Sequence, residues 1–131
     1  MSQTIAQKRS EFALLQLQQI PYDKDFATLA AGLPSMILQN GFGQAMSFLL
    51  SKATDKDGHF KKKEKHYSAF RIIVDWLKER QILQCQTEGT AILQLSQMPQ
   101  DRYLMAQEEA MKVMEWVKRY ANSGLFLAKG D

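Results

Sequence analysis

The stretch Ile37–Lys52, ILQNGFGQAMSFLLSK, decides how the first half of the chain is read. Asn40-Gly41 is a strong short turn signal, and Gly43 follows two residues later. The apolar residues nevertheless keep helical spacing, with Leu38, Phe42, Met46 and Leu49 in one row and Ile37, Gly41, Ala45 and Phe48 in another. Pro34 suits the first turn of a helix, so the spacing predicts one helix from Pro34 to about Lys52. A kinked continuation of the preceding helix is the rival. Two interior glycines cost such a helix about 1 kcal/mol each relative to alanine. A cost of that size persists where something must approach the backbone closely. Another helix of this chain would serve, and so would a partner chain or a nucleic acid. The spacing does not choose between them.

On either side of this stretch the elements are helical. Thr4 and Gln7 form a capping-box pattern ahead of a stripe with Ile5, Phe12 and Leu15 that runs to about Gln19. Ile20-Pro21-Tyr22 ends it, because a residue before proline avoids the helical region. Asp23 suits the N-cap of a short second helix, Phe26 to Ala31, before Gly32 and Pro34 interrupt. After Lys52 the segment ATDKDGH reads as loop. A further helix is expected from about Phe60 to Arg80, with Tyr67, Phe70, Ile73 or Val74, and Leu77 inward. Glu88-Gly89-Thr90 resembles a turn, and Ala91 to Leu95 is too short to assign. Met98-Pro99 opens a last helix over about Gln100–Asn122, with Tyr103, Ala106, Ala110, Val113 or Met114, Val117 and Ala121 as its stripe. Ser123-Gly124 closes it. No set of strands and no repeat emerges. The expected fold is all-α, a compact single-domain bundle of five to six helices over residues 1–131.

Composition narrows the function classes. With 131 residues, 45% hydrophobic and 24% charged, the chain can build a real core. No apolar run is long enough to span a bilayer, and MSQTIAQKRS lacks a signal-peptide core. A cytoplasmic protein is therefore expected. The single cysteine, Cys85, excludes an intrachain disulfide and a cysteine-based metal site. His59 and His66 stand seven apart, without an H-E-x-x-H frame, and GFG lacks the strand and lysine of a phosphate loop. No catalytic residue, metal or cofactor is expected.

The net charge of +3 is mild, but its distribution is uneven. Lys61, Lys62, Lys63 and Lys65 crowd the start of the expected fourth helix, with Lys52 and Lys56 just upstream. Cations there oppose the helix dipole at a few tenths to about 1 kcal/mol each. Either the cluster is a solvated, frayed loop, or an anion such as phosphate relieves the strain. His59 and Phe60 add surfaces on which bases could stack. On the last helix Glu108 precedes Lys112 by four residues and Glu115 precedes Arg119 by four, which is the favourable order for helix pairs. Lys118 has only Glu115, three residues back.

Three stretches taken together resemble a known family: LPSMILQNGFGQAMSFLLSK (Leu33–Lys52), YSAFRIIVDWL (Tyr67–Leu77) and RYLMAQEEAMKVMEWVKRYANSGL (Arg102–Leu125). Leu-Pro followed by Asn-Gly, and the late Trp-x-Lys-Arg-Tyr-Ala, are the most specific parts. In order and spacing they are similar to the small helical subunit of the type III-B CRISPR effector, the Cmr complex. The resemblance implies an all-helical, noncatalytic subunit. Its copies would stack into an inner filament beside a backbone ribonuclease subunit and a large polymerase-like subunit. Guide RNA and target RNA would pair in the channel between filaments, with sequence read by base pairing. It implies that Asn40 and Gly41 belong to a packed helix and that Lys118 and Arg119 belong to a late basic motif, and it favours helix packing for the glycines, Gly43 included, either within the subunit or against a neighbouring copy. Lys52 and Lys61–Lys65 are candidate RNA contacts on charge placement alone. A small helical adaptor that binds only protein is the alternative, and a helical hydrolase is the weakest reading.

Overall fold

The computed structural model describes residues 2–20 and 22–125. Six helices run in the order α1 Ile5–Gln19, α2 Lys24–Asn40, α3 Phe42–Lys52, α4 Lys65–Glu79, α5 Glu88–Gln97 and α6 Gln100–Ser123. The described residues contain no sheet, only an isolated antiparallel bridge between Thr54 and Phe60. The all-α expectation holds. The expected helix-ending role of Pro21 lies outside the described residues. Ile20 before it is extended.

α1 begins with the expected capping box, in which the Thr4 hydroxyl accepts from Gln7 N and the Gln7 side chain accepts from Thr4 N. Its inward face is Phe12, Ala13 and Leu17, with Arg9 buried beside them. Leu15 was expected in the stripe but is 47% exposed. It stands two residues from both Ala13 and Leu17, and helical neighbours at that spacing do not share a face.

The helix boundaries around Pro34 and Gly41 differ from the expected ones. Asp23 caps α2 as expected, accepting from Phe26 N at 3.0 Å, but α2 runs on through Pro34 to Asn40. Phe26, Ala27, Ala30, Leu33, Pro34 and Ile37 form one unbroken buried stripe. Burying both halves of that stripe together outweighs the roughly 3 kcal/mol that an interior proline costs. The break comes instead at Gly41, with φ 91° and ψ 154°, a conformation nearly confined to glycine. Gly41 ends α2 and opens α3, so Asn40-Gly41 acts as the turn that its identity signals.

α4 starts at Lys65, five residues later than expected, because the backbone of Phe60 and Lys61 is engaged with Thr54 and Ala53 instead. The segment read as a turn at Glu88-Gly89-Thr90 is the first turn of α5. Thr87 and Thr90 cap it reciprocally, with each side chain accepting from the other's backbone N–H. α6 matches its expected span closely and ends at Gly124 in the left-handed conformation.

α2 lies along α6 and α1 packs on α6. α3 bridges α4 and α5. Trp76, Phe26, Phe42 and Phe70 are the largest fully buried side chains of the core. One charged group sits inside it. Glu109 of α6 accepts from Arg9 Nε at 3.1 Å, Arg9 Nη2 at 2.7 Å and Trp76 Nε1 at 3.1 Å, and Arg80 Nε stands 3.9 Å away. Burial pushes the Glu109 carboxyl up, but these hydrogen bonds and the two arginine charges prevail and hold it below its ordinary value. α1, α4 and α6 are thereby tied together at one point. No helix among the described residues is long and apolar enough to cross a membrane.

Candidate nucleic-acid interface

The lysine-rich connection between α3 and α4 is a small closed loop. Ala53 O accepts from Lys61 N at 2.7 Å, and Asp55 N donates to His59 O at 2.9 Å. Asp55 Oδ1 accepts from both Asp57 N and His59 N at 2.9 Å. Gly58, at φ 83°, permits the reversal between them. The hairpin therefore returns Lys61 to the end of α3, next to Lys52, and leaves Lys56 at its tip. Lys52, Lys56, Lys61, Lys62 and Lys63 are exposed, and Lys65 is half-buried. Among the described residues none of these five exposed lysines has a carboxylate within ion-pair distance.

Glu64 fixes the exit of the loop. It is the N-cap of α4, accepting from His66 N at 2.8 Å, and its other oxygen lies 2.7 Å from His66 Nδ1 and 3.8 Å from Lys65 Nζ. Burial raises the Glu64 carboxyl, but the His66 hydrogen bonds and the neighbouring charges outweigh that and lower it. A carboxylate at a helix start suits the dipole that Lys65 opposes. The expected strain of four lysines on a helix N-terminus is thus largely absent, because Lys61, Lys62 and Lys63 precede the helix and Glu64 caps it. The His66 ring stands edge-on to Phe48 at 5.7 Å, and Lys52 Nζ lies 5.8 Å above the same ring. Phe60 packs against Tyr67 at 6.1 Å rather than standing free, and the Tyr67 hydroxyl donates to Glu88 at 2.5 Å. Burial, then the Glu88 hydrogen bond and charge, push that phenol up to about 12.

Acidic neighbours are the feature that charge counting along the chain missed. Lys63 and Lys65 line a small cleft together with Asp23 and Asp25 of the α2 start, Glu64 and Ser68. They lie far apart in sequence, but Asp23 as an N-cap and Asp25 in a first turn were legible as a negative helix start. Lys118 and Arg119 do not line this cleft. They stand on α6, which meets the first turns of α2 through Asn122, whose amide donates to Ala27 O at 3.1 Å and to Lys118 O at 2.8 Å. The Glu108–Lys112 pair forms at 2.7 Å. The expected Glu115–Arg119 pair is replaced by Glu115–Lys118 at 3.8 Å, so Arg119 is the residue left without an ion pair among the described residues. The i+3 residue reaches back toward Glu115 while Arg119 is exposed.

A family model described as CRISPR-associated protein (Cas_Cmr5) matches residues 5–124, from the first residue of α1 to the glycine that ends α6. The chain belongs to the Cmr5 family. It is a small subunit of type III-B CRISPR systems, and family membership implies association with other subunits of the Cmr complex. In this Cmr5-family chain the two glycines have different surroundings. Gly41 has open space where a Cβ would stand. At Gly43 a Cβ would lie 3.3 Å from Tyr103 Oη, and the Gly43 N–H donates to that hydroxyl at 2.7 Å. Asn40 is exposed beside Leu38, which is 66% exposed. The conceivable His59–His66 pair does not form, since His66 is held by Glu64. His59 gathers instead with Asp55 and Asp57, whose ligand atoms lie within 4.8 Å of one another, all three exposed. Cys85 is buried, and burial raises its thiol, the wrong direction for a nucleophile.

Proposed function

We propose that this Cmr complex subunit is a noncatalytic wall along the target RNA. Its copies stack into the inner filament and touch the RNA backbone through Lys52, Lys61, Lys62, Lys63, Lys65, Lys118 and Arg119. Its partners in that reading are the backbone ribonuclease subunit, the large polymerase-like subunit, further copies of itself, and the paired guide and target RNAs. Gly43 serves helix packing through Tyr103, while Gly41 makes the turn between α2 and α3 and, with Asn40, is open to subunit contact.

The observation that carries the reading is the α3–α4 hairpin. Its hydrogen bonds hold exposed lysines in fixed places, and none of the five is neutralised by an ion pair among the described residues. Like charges held together without partners suit a ligand that brings the opposite charge in a row, as a phosphate backbone does. An apolar groove between α1 and α6, lined by Leu14, Leu15, Trp116 and Tyr120, supplies protein contact of the kind an assembly subunit needs.

The test is binding of single-stranded RNA by the purified protein across a salt series. Weak, sequence-blind binding is expected, with a logarithmic slope of about 0.7 per phosphate neutralised. Replacing Lys61, Lys62, Lys63 and Lys65 with alanine is expected to flatten it. An unchanged slope removes the loop from the contact surface. RNA that fails to bind at all, while partner subunits still do, favours the adaptor that binds only protein.

A further inference from the structure

The lysine loop does not present its charges evenly. We propose that it has two faces. Lys52 and Lys61 meet the RNA phosphates, while Lys63 and Lys65 face the acidic start of α2 and contribute little to RNA binding. The proposal rests on the RNA-facing reading and narrows its contact set by taking Lys63 and Lys65 out of it.

Two independent observations carry the division. The hydrogen bond from Lys61 N to Ala53 O closes the hairpin and sets Lys61 beside the end of α3, where Lys52 stands over the Phe48 ring. Neither lysine lines the acidic cleft, and among the described residues neither has a carboxylate within ion-pair distance. The other two lysines share their cleft with Asp23, Asp25 and Glu64, three carboxylates against two ammonium groups. Lys65 is in addition 3.8 Å from Glu64. A phosphate entering there meets net negative charge, and at Lys65 it must also displace the Glu64 contact. Asp23 is fixed by its cap to Phe26 N, and Asp25 sits in the first turn of α2, where the dipole favours it. The Asp23 carboxylate is therefore held in place by its cap. The α2 start therefore acts as a boundary, steering a polyanion toward the Lys52 and Lys61 side.

The experiment compares two double variants, Lys52→Ala with Lys61→Ala and Lys63→Ala with Lys65→Ala, by RNA binding across a salt series starting at low salt. The first pair is expected to lower the logarithmic salt slope by about 1.4, two contacts at about 0.7 each, and the second to leave it nearly unchanged. Asp25→Asn removes part of the boundary without touching the Asp23 cap, and is expected to tighten binding several-fold and raise the slope. Equal losses from the two pairs would overturn the division while leaving the RNA reading intact. An unchanged slope in both pairs would remove the loop from the contact surface and overturn this division, and no RNA binding even at low salt would overturn the RNA reading as well. Circular dichroism and thermal midpoints of each variant separate lost contacts from lost folding.

Discussion

Two regions of this molecule gather charge, and they do so in opposite ways. At the junction of α1, α4 and α6, Glu109 and Arg9 are each 8% exposed, and Glu109 takes three hydrogen bonds from Arg9 and Trp76. On the α3–α4 hairpin, five lysines stand in solvent without an ion pair among the described residues. A buried charge must be satisfied from within, because leaving it unpaired costs several kcal/mol. An exposed one is solvated by water and stays available. The first arrangement holds three helices in register and leaves nothing for a partner. The second adds little to the fold and leaves everything for one.

The sharpest way to break this contrast is Glu109→Ala, which strands the Arg9 guanidinium and the Trp76 N–H. A loss of about 3 kcal/mol in denaturant unfolding is expected, with RNA binding by the folded protein unchanged. The same carboxylate gives stability a pH signature. Its folded value lies below the ordinary 4.5, so its contribution is complete above about that pH and is lost as pH falls through the folded value. Glu109→Gln should flatten this part of the acid limb in a pH series of unfolding midpoints. Arg80 stands 3.9 Å from Glu109 with a side chain 40% exposed, so Arg80→Ala should cost under about 1 kcal/mol. Smallest of all, Lys61→Ala with Lys62→Ala should move stability by no more than about 0.5 kcal/mol. A large loss there would make the lysines part of the fold and dissolve the contrast.

Much of this architecture was legible in the chain. The caps at Thr4, Asp23 and Gly124 are local chemistry, and the structure carries them as the residues announce. The α6 stripe follows simple helical spacing. Legibility failed where a local signal and a long-range gain opposed each other. Pro34 signals a helix start, yet burial of the continuous α2 stripe against α6 overrides it. Asn40-Gly41 signals a turn, yet apolar spacing across it suggests continuity, and here the local signal prevails because Gly41 alone accepts φ 91° cheaply. The Glu109 junction had a usable sign. Arg9 and Glu109 each occupy a position on an otherwise apolar stripe, between Ile5 and Phe12 and between Ala106 and Val113, and two opposite charges so placed point to each other. The cleft uniting Asp23 and Asp25 with Lys63 and Lys65 had no such sign, since only the packing of the loop beside α2 brings them together.

The central claim is that the α3–α4 hairpin faces RNA in the assembled effector. Photocrosslinking of target RNA within the purified Cmr complex, followed by mass spectrometry of the crosslinked peptides of this subunit, tests it most directly. The account predicts crosslinks in the peptides spanning Lys52–Lys65, denser on the Lys52 and Lys61 side. Crosslinks confined to other surfaces of the subunit, or none on it while neighbouring subunits crosslink well, would contradict it.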